Sequence, residues 1–99
     1  MRIRFLAAAR SEFSEAVSYY DPKEPGLGDE VADEVWKTIS RIASHPSAWQ
    51  QLSSRTRRCL TRRFPYAVIY CAQTNSILII AVMHLKQHPD SWRGRVANE

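Results

Sequence analysis

Ninety-nine residues, 44% hydrophobic and 24% charged, suffice for one folded domain with a core and exclude a disordered chain. The net charge of +4 is unevenly laid out: residues 1–50 hold 6 Lys/Arg against 8 Asp/Glu, and residues 51–99 hold 8 against 2. No apolar run approaches the roughly 20 residues that span a bilayer, and the start Met1-Arg2-Ile3-Arg4-Phe5 lacks the apolar stretch of a signal peptide, so cytoplasmic residence without a membrane partner is the expectation.

Arg2–Leu6 alternates in character and reads as a short strand with Ile3 and Phe5 inward. From Ala8 the period changes. Ala9, Phe13, Ala16, Val17 and Tyr20 recur at helical spacing, with Arg10, Glu12 and Glu15 on the other side, until Pro22 and Pro25 stop the helix. A second helix runs from near Leu27 to about Ser44. Its seam is Val31, Val35, Ile39 and Ile42, widened by Ala32, Ala43 and Trp36, the last expected in the core. Asp29, Glu30, Asp33 and Glu34 are assigned to its solvated face, Asp29 and Glu30 also suiting the positive end of the helix dipole and Arg41 the negative end. His45-Pro46 ends it. Two antiparallel helices with one stripe each cover one face of a sheet.

Ser47–Thr56 reads as a loop that folds Trp49 and Leu52 over a core edge. Arg58–Arg63 is a strand candidate, and beyond the Phe64-Pro65-Tyr66 corner two runs rich in β-branched and aromatic residues flank Gln73–Ser76 as a hairpin. With a regular ladder Tyr70 faces Ile79, Ile69 faces Ile80 and Val68 faces Ala81. One face then holds Tyr66, Val68, Tyr70, Ile77, Ile79, Ala81 and Met83; the other holds Ala67, Ile69, Cys71, Leu78, Ile80 and Val82. Both are apolar, so the face without helices is expected to be lent to a partner. Pro89–Arg95 forms a short turn or last helix, and Val96–Glu99 a frayed tail. The order is β-α-α-β-β-β with a short C-terminal helix, an α+β fold with a twisted antiparallel sheet in a single domain, 1–99.

Five arginines between Arg55 and Arg63 mark an anionic partner, nucleic acid or an acidic protein segment, with Arg57, Arg58, Arg62 and Arg63 as its contacts. A tight corner would place Cys59 and Cys71 nearly opposite each other as free thiols. Their spacing indicates neither a zinc site nor a disulfide framework, and no convergent metal-ligand spacing or cofactor is expected.

The ordered set Tyr19-Tyr20, Pro25-Gly26-Leu27-Gly28, Ile42 through Pro46, Arg62-Arg63-Phe64-Pro65-Tyr66 with Val68 and Tyr70, and Ile79-x-Ala81-Val82-x-His84 followed by Pro89 and Trp92 resembles the RelE/ParE superfamily of bacterial toxin–antitoxin proteins, in the branch often called plasmid-stabilisation proteins. The resemblance spans nearly the whole chain. It implies a helical hairpin on a twisted antiparallel sheet, and a growth-inhibiting toxin neutralised by a cognate, acidic antitoxin that wraps it in a hetero-oligomer. Two activities occur in the superfamily: ParE-like members poison DNA gyrase without catalysis, and RelE-like members cut mRNA in the ribosomal A site. A non-toxic module of the same fold, binding antitoxin or RNA, is a third reading.

RelE-like enzymes carry an arginine just after the aromatic that Tyr66 matches; here Ala67 stands there. His84 and Lys86 roughly match a basic pair near the end of the last strand, and Trp92 stands where a tyrosine is expected, without a titratable hydroxyl. The set leans the reading towards the ParE-like branch; Arg62, Arg63, His84 and Lys86 are the catalytic candidates if the ribonuclease reading holds. His84 can serve as acid or base, or simply cap backbone groups or bond Tyr20. The family arginine faces out from the sheet, which implies that Ala67, Ile69 and Cys71 face out and that Tyr66, Val68, Tyr70, Ile79 and Ala81 lie against the helices. Contact with partner or target is thus expected from Arg57, Arg58, Arg62, Arg63, Ala67, Ile69, Leu78, Ile80, Trp92, Arg93 and Arg95.

Overall fold

The structure, a computed structural model, describes residues 1–96; the remainder of the tail expected at Val96–Glu99 lies outside the described residues. Strand β1 (Arg2–Phe5) leads into helices α1 (Ala7–Tyr20) and α2 (Leu27–Ser44). Strands β2 (Gln50–Gln51), β3 (Arg57–Leu60), β4 (Tyr66–Gln73) and β5 (Ser76–His84) follow, then a 3-10 turn at Arg93–Arg95. The α+β order read from the sequence is the order observed, with Gln50–Gln51 added as a short strand in the expected loop.

The helix connection is set by two glycines. Gly26 adopts φ 85°, a left-handed conformation that side chains resist. Gly28 donates its N–H to Asp21 Oδ1 at 3.2 Å, and a Cβ there would fall 2.8 Å from the same oxygen.

The sheet runs β1-β5-β4-β3-β2 and is antiparallel except at one edge, where β1 lies parallel to β5. β5 has no other neighbour along that edge among the described residues, and pairing Ile3 with Ile77 and Phe5 with Ile79 puts all four side chains against the helices. The hairpin register also departs from the regular ladder. Tyr70 faces Ile79 as expected, but Ile69 faces Ala81 and Val68 faces Val82, so Ile80 is an extra residue at a bulge. One inserted residue moves every later side chain to the other face. Ala81 and Met83 therefore join the outer face, and Val82 joins the helix side.

The outer face is closed by the chain itself, which corrects the expectation of an open face. Ala67, Ile69 and Ile80 are 0% exposed. Leu52 from the β2–β3 loop, Leu6, Trp92 and Val96 fold across Ile69, Ile80, Ala81 and Met83. Trp36, expected in the core, is 47% exposed: one residue past Val35 turns it ~100° away from the seam, and its ring rests on Phe5 and Phe13 at the rim. Cys59 and Cys71 are not opposite. The corner spends five residues, so Cys59 pairs with Val68 beneath the helices while Cys71 packs on the outer side; both are free thiols.

Candidate functional site

The basic corner between β3 and β4 is built around a buried carboxylate. Thr61 donates its N–H to Tyr66 O at 3.0 Å and its hydroxyl to Phe64 O at 2.6 Å, and Phe64 holds φ 68°. The N–H groups of Arg62 and Arg63 both donate to Glu34 Oε2, at 2.6 and 3.2 Å. Glu34 is only 8% exposed and so does not belong to the solvated face assigned to it. It falls three residues after Val31 and four before Thr38, within the seam of α2. That spacing was the available signal for it.

The arginines of this region do not converge on one patch. Arg57 Nη1 donates to Trp49 O and Arg58 Nε to Gln50 Oε1, each at 2.8 Å, which ties β3 to its edge. Arg63 pairs with Glu30 at 3.0 Å and lies over the Phe64 ring. Arg62 and Arg63 are exposed at the corner; Arg57 and Arg58 are half-buried.

At the same end of the sheet Tyr66 pairs with His84 in the β4–β5 ladder, their rings edge-to-face with centroids 5.2 Å apart. Tyr20 packs edge-on to both Tyr66 and Phe64. His84 does not bond Tyr20. Its Nδ1 accepts the Lys86 N–H at 3.0 Å, which in the neutral ring leaves the proton on Nε2. A cavity of about 320 Å³ opens here, lined by Glu12, Glu15, Tyr19, Tyr66, His84 and Gln87 among others. Burial, with smaller contributions from Tyr20 and Tyr19, pushes the Tyr66 phenol up, so it is a protonated donor at neutral pH. Of the four ribonuclease candidates, only His84 lines this cavity; Arg62 and Arg63 stand at the neighbouring corner and Lys86 is exposed beyond the strand end. No group of three His, Cys, Asp or Glu that could hold a metal occurs among the described residues.

The remaining expected contacts lie on the outer face. Ala67, Ile69, Ile80 and Trp92 are buried within the chain and Leu78 is half-buried, so the first four present no surface in this conformation. Trp92 donates its Nε1–H to Pro89 O at 2.8 Å. Arg93 is exposed and pairs with Asp90 at 2.7 Å; Arg95 turns inward, with its nitrogens on both carboxylate oxygens of Glu12, at 2.7 and 2.9 Å, and on Ile80 O. Glu12 also accepts the Val82 N–H, so this pair closes the free edge of β5 beyond β1. Helical spacing puts Glu12 on the side of α1 away from its apolar stripe; its partner stands 83 positions away and no local pattern announces it.

No family model matches the chain, and no curated protein matches it. Among solved structures it is similar to a chain of the chromosomal ParDE toxin–antitoxin (TA) system from P. aeruginosa, with a TM-score of 0.73 and 11% identity, covering 87% of this chain and 97% of that one. At that identity the likeness is one of fold, and it coincides with the family whose motifs the sequence resembles. The chain shares its fold with that chain of a ParDE system.

Proposed function

We propose that this protein is the toxin component of a toxin–antitoxin pair, neutralised by a co-produced acidic antitoxin, and that it acts in the ParE-like manner, by inhibiting DNA gyrase without catalysis of its own. The likeness to a chain of a ParDE system over almost the whole of both chains supports the toxin reading. The ParE-like choice rests on one observation: the two positions at which a RelE-like enzyme would present an arginine and a tyrosine are filled by Ala67 and Trp92, 0% and 1% exposed. A side chain without charge and a buried indole committed to Pro89 O cannot stabilise a developing phosphorane charge or move a proton. Exposed Arg62, Arg63, Lys86 and Arg93 then serve the antitoxin or the target as surface charge.

The RelE-like reading keeps one observation in its favour, the cavity where His84 meets Tyr66. Induction of the chain alone separates the readings. The expected result is growth arrest with gyrase-linked DNA breaks and intact mRNA. Cleavage of translated mRNA would replace this reading with the ribonuclease, and undisturbed growth would leave only a binding module.

A further inference from the structure

At the C-terminal end of α2, away from the His84 cavity, a second cavity of about 400 Å³ is lined by Ser40, Arg41, Ser44, His45, Trp49 and Arg62. Every one of these side chains can donate a hydrogen bond: two guanidiniums, two hydroxyls, an imidazole and an indole N–H. Among the described residues no carboxylate lines it.

Three of the donors are uncommitted or uncompensated. Arg41 Nη2 is held by the neutral acceptors Thr38 Oγ1 at 3.0 Å and Leu60 O at 3.4 Å, and its guanidinium lies 5.7 Å from the centre of the Trp49 ring. Its charge therefore has no carboxylate partner among the described residues. Arg62 is fixed through its backbone N–H on Glu34, which leaves its guanidinium outside any ion pair among the described residues. The Trp49 Nε1–H is buried and has no acceptor among the described residues, an arrangement proteins avoid unless something fills it. Burial pushes the Cys59 thiol up while both Arg41 and Arg62 pull it down, so the two charges act at one place. The carbonyl end of α2 opposes an anion here, but with only about half a charge against two full ones.

We propose that this cavity is an oxyanion site that takes the phosphate group of a phosphate monoester, either a small ester or the 5′-terminal phosphate of a nucleic-acid strand. A carboxylate offers two oxygens and one charge. A phosphate monoester offers three terminal oxygens and about two charges at neutral pH, which suits six donor side chains, two of them guanidiniums. The cavity is also larger than the phosphate alone requires, leaving room for whatever carries it.

The test follows the indole N–H resonance of Trp49 in an isotope-labelled sample of the full chain. Titration is with inorganic phosphate, adenosine 5′-monophosphate, and a short single strand with or without its 5′-phosphate, each at constant ionic strength. The Trp49 resonance is expected to move with phosphate and with the monophosphate, and acetate is expected to leave it in place. Arg41→Gln and Arg62→Gln together are expected to weaken binding roughly tenfold or more, while melting close to the parent. A response confined to free phosphate and the monophosphate assigns a small ester; tighter binding of the phosphorylated strand than of its hydroxyl form assigns a strand end. No movement with phosphate, an equal movement with acetate, or undiminished binding by a folded double variant overturns the proposal. The measurement makes no use of toxicity, so it stands or fails apart from the toxin reading.

Discussion

Glu34 shows how much one buried carboxylate can organise. Its Oε2 takes the backbone N–H of Arg62 and of Arg63, and its own carbonyl takes the Thr38 hydroxyl one turn on. The corner it holds contains Phe64 at φ 68°, a conformation that costs a bulky residue about 1–3 kcal/mol and persists only where neighbours fix it. Glu34→Ala would leave both N–H groups without that acceptor and is expected to cost about 2 kcal/mol in urea unfolding. Glu34→Gln keeps an acceptor oxygen and should lose less than half of that. Equal losses would mean that the charge, and not the acceptor geometry, holds the corner.

Among the elements, the β4–β5 hairpin is tied to the exit of α2 by Tyr70, whose hydroxyl donates to Pro46 O. The residue is 1% exposed, and burial pushes its phenol up from 10.0 to about 12, Arg57 pulling the other way. The unfolded chain thus releases this proton first. The stability that Tyr70 contributes is complete below pH 10 and is lost as pH rises through about 12. Melting temperature is expected to fall across that interval. Tyr70→Phe should flatten its part of the fall, while costing about 1 kcal/mol at neutral pH for the lost hydrogen bond. A variant that keeps the full alkaline slope would place the effect elsewhere.

For the molecule as a whole, the last described turn works as a lid over the outer sheet face. Trp92 lies 1% exposed on Ile69, Ile80, Ala81 and Met83, and Arg95 pins the same segment to Glu12 of α1 and to the β5 edge. Trp92→Ala is expected to cost about 3–5 kcal/mol, with increased binding of a hydrophobic dye as the apolar face opens. Unchanged stability and dye binding would show that the lid contributes nothing to the core. Closing this face by the chain itself also decides which residues can meet another molecule without rearrangement. Arg62, Arg63, Lys86 and Arg93 can; Ala67, Ile69, Ile80 and Trp92 cannot.

What was legible in the residues alone is what is encoded locally. Helical spacing from Ala9 to Tyr20 and from Val31 to Ile42, punctuated by Pro22, Pro25 and Pro46, placed both helices to within a residue or so of α1 and α2. Two apolar runs around Gln73–Ser76 marked the hairpin, and the density of arginine marked the charged corner. Only the tertiary structure decided the rest, because each missing feature depends on residues far apart in the chain. The bulge at Ile80, the parallel seat of β1, the hold of Glu34 on a corner 28 residues on, the clasp of Arg95 on Glu12 and the folding of Trp92 over the second face are all of this kind. Alternation states which side chains share a face, but a single inserted residue reverses it. Charge density states how many guanidiniums are present, but not which of them a distant carboxylate has already claimed.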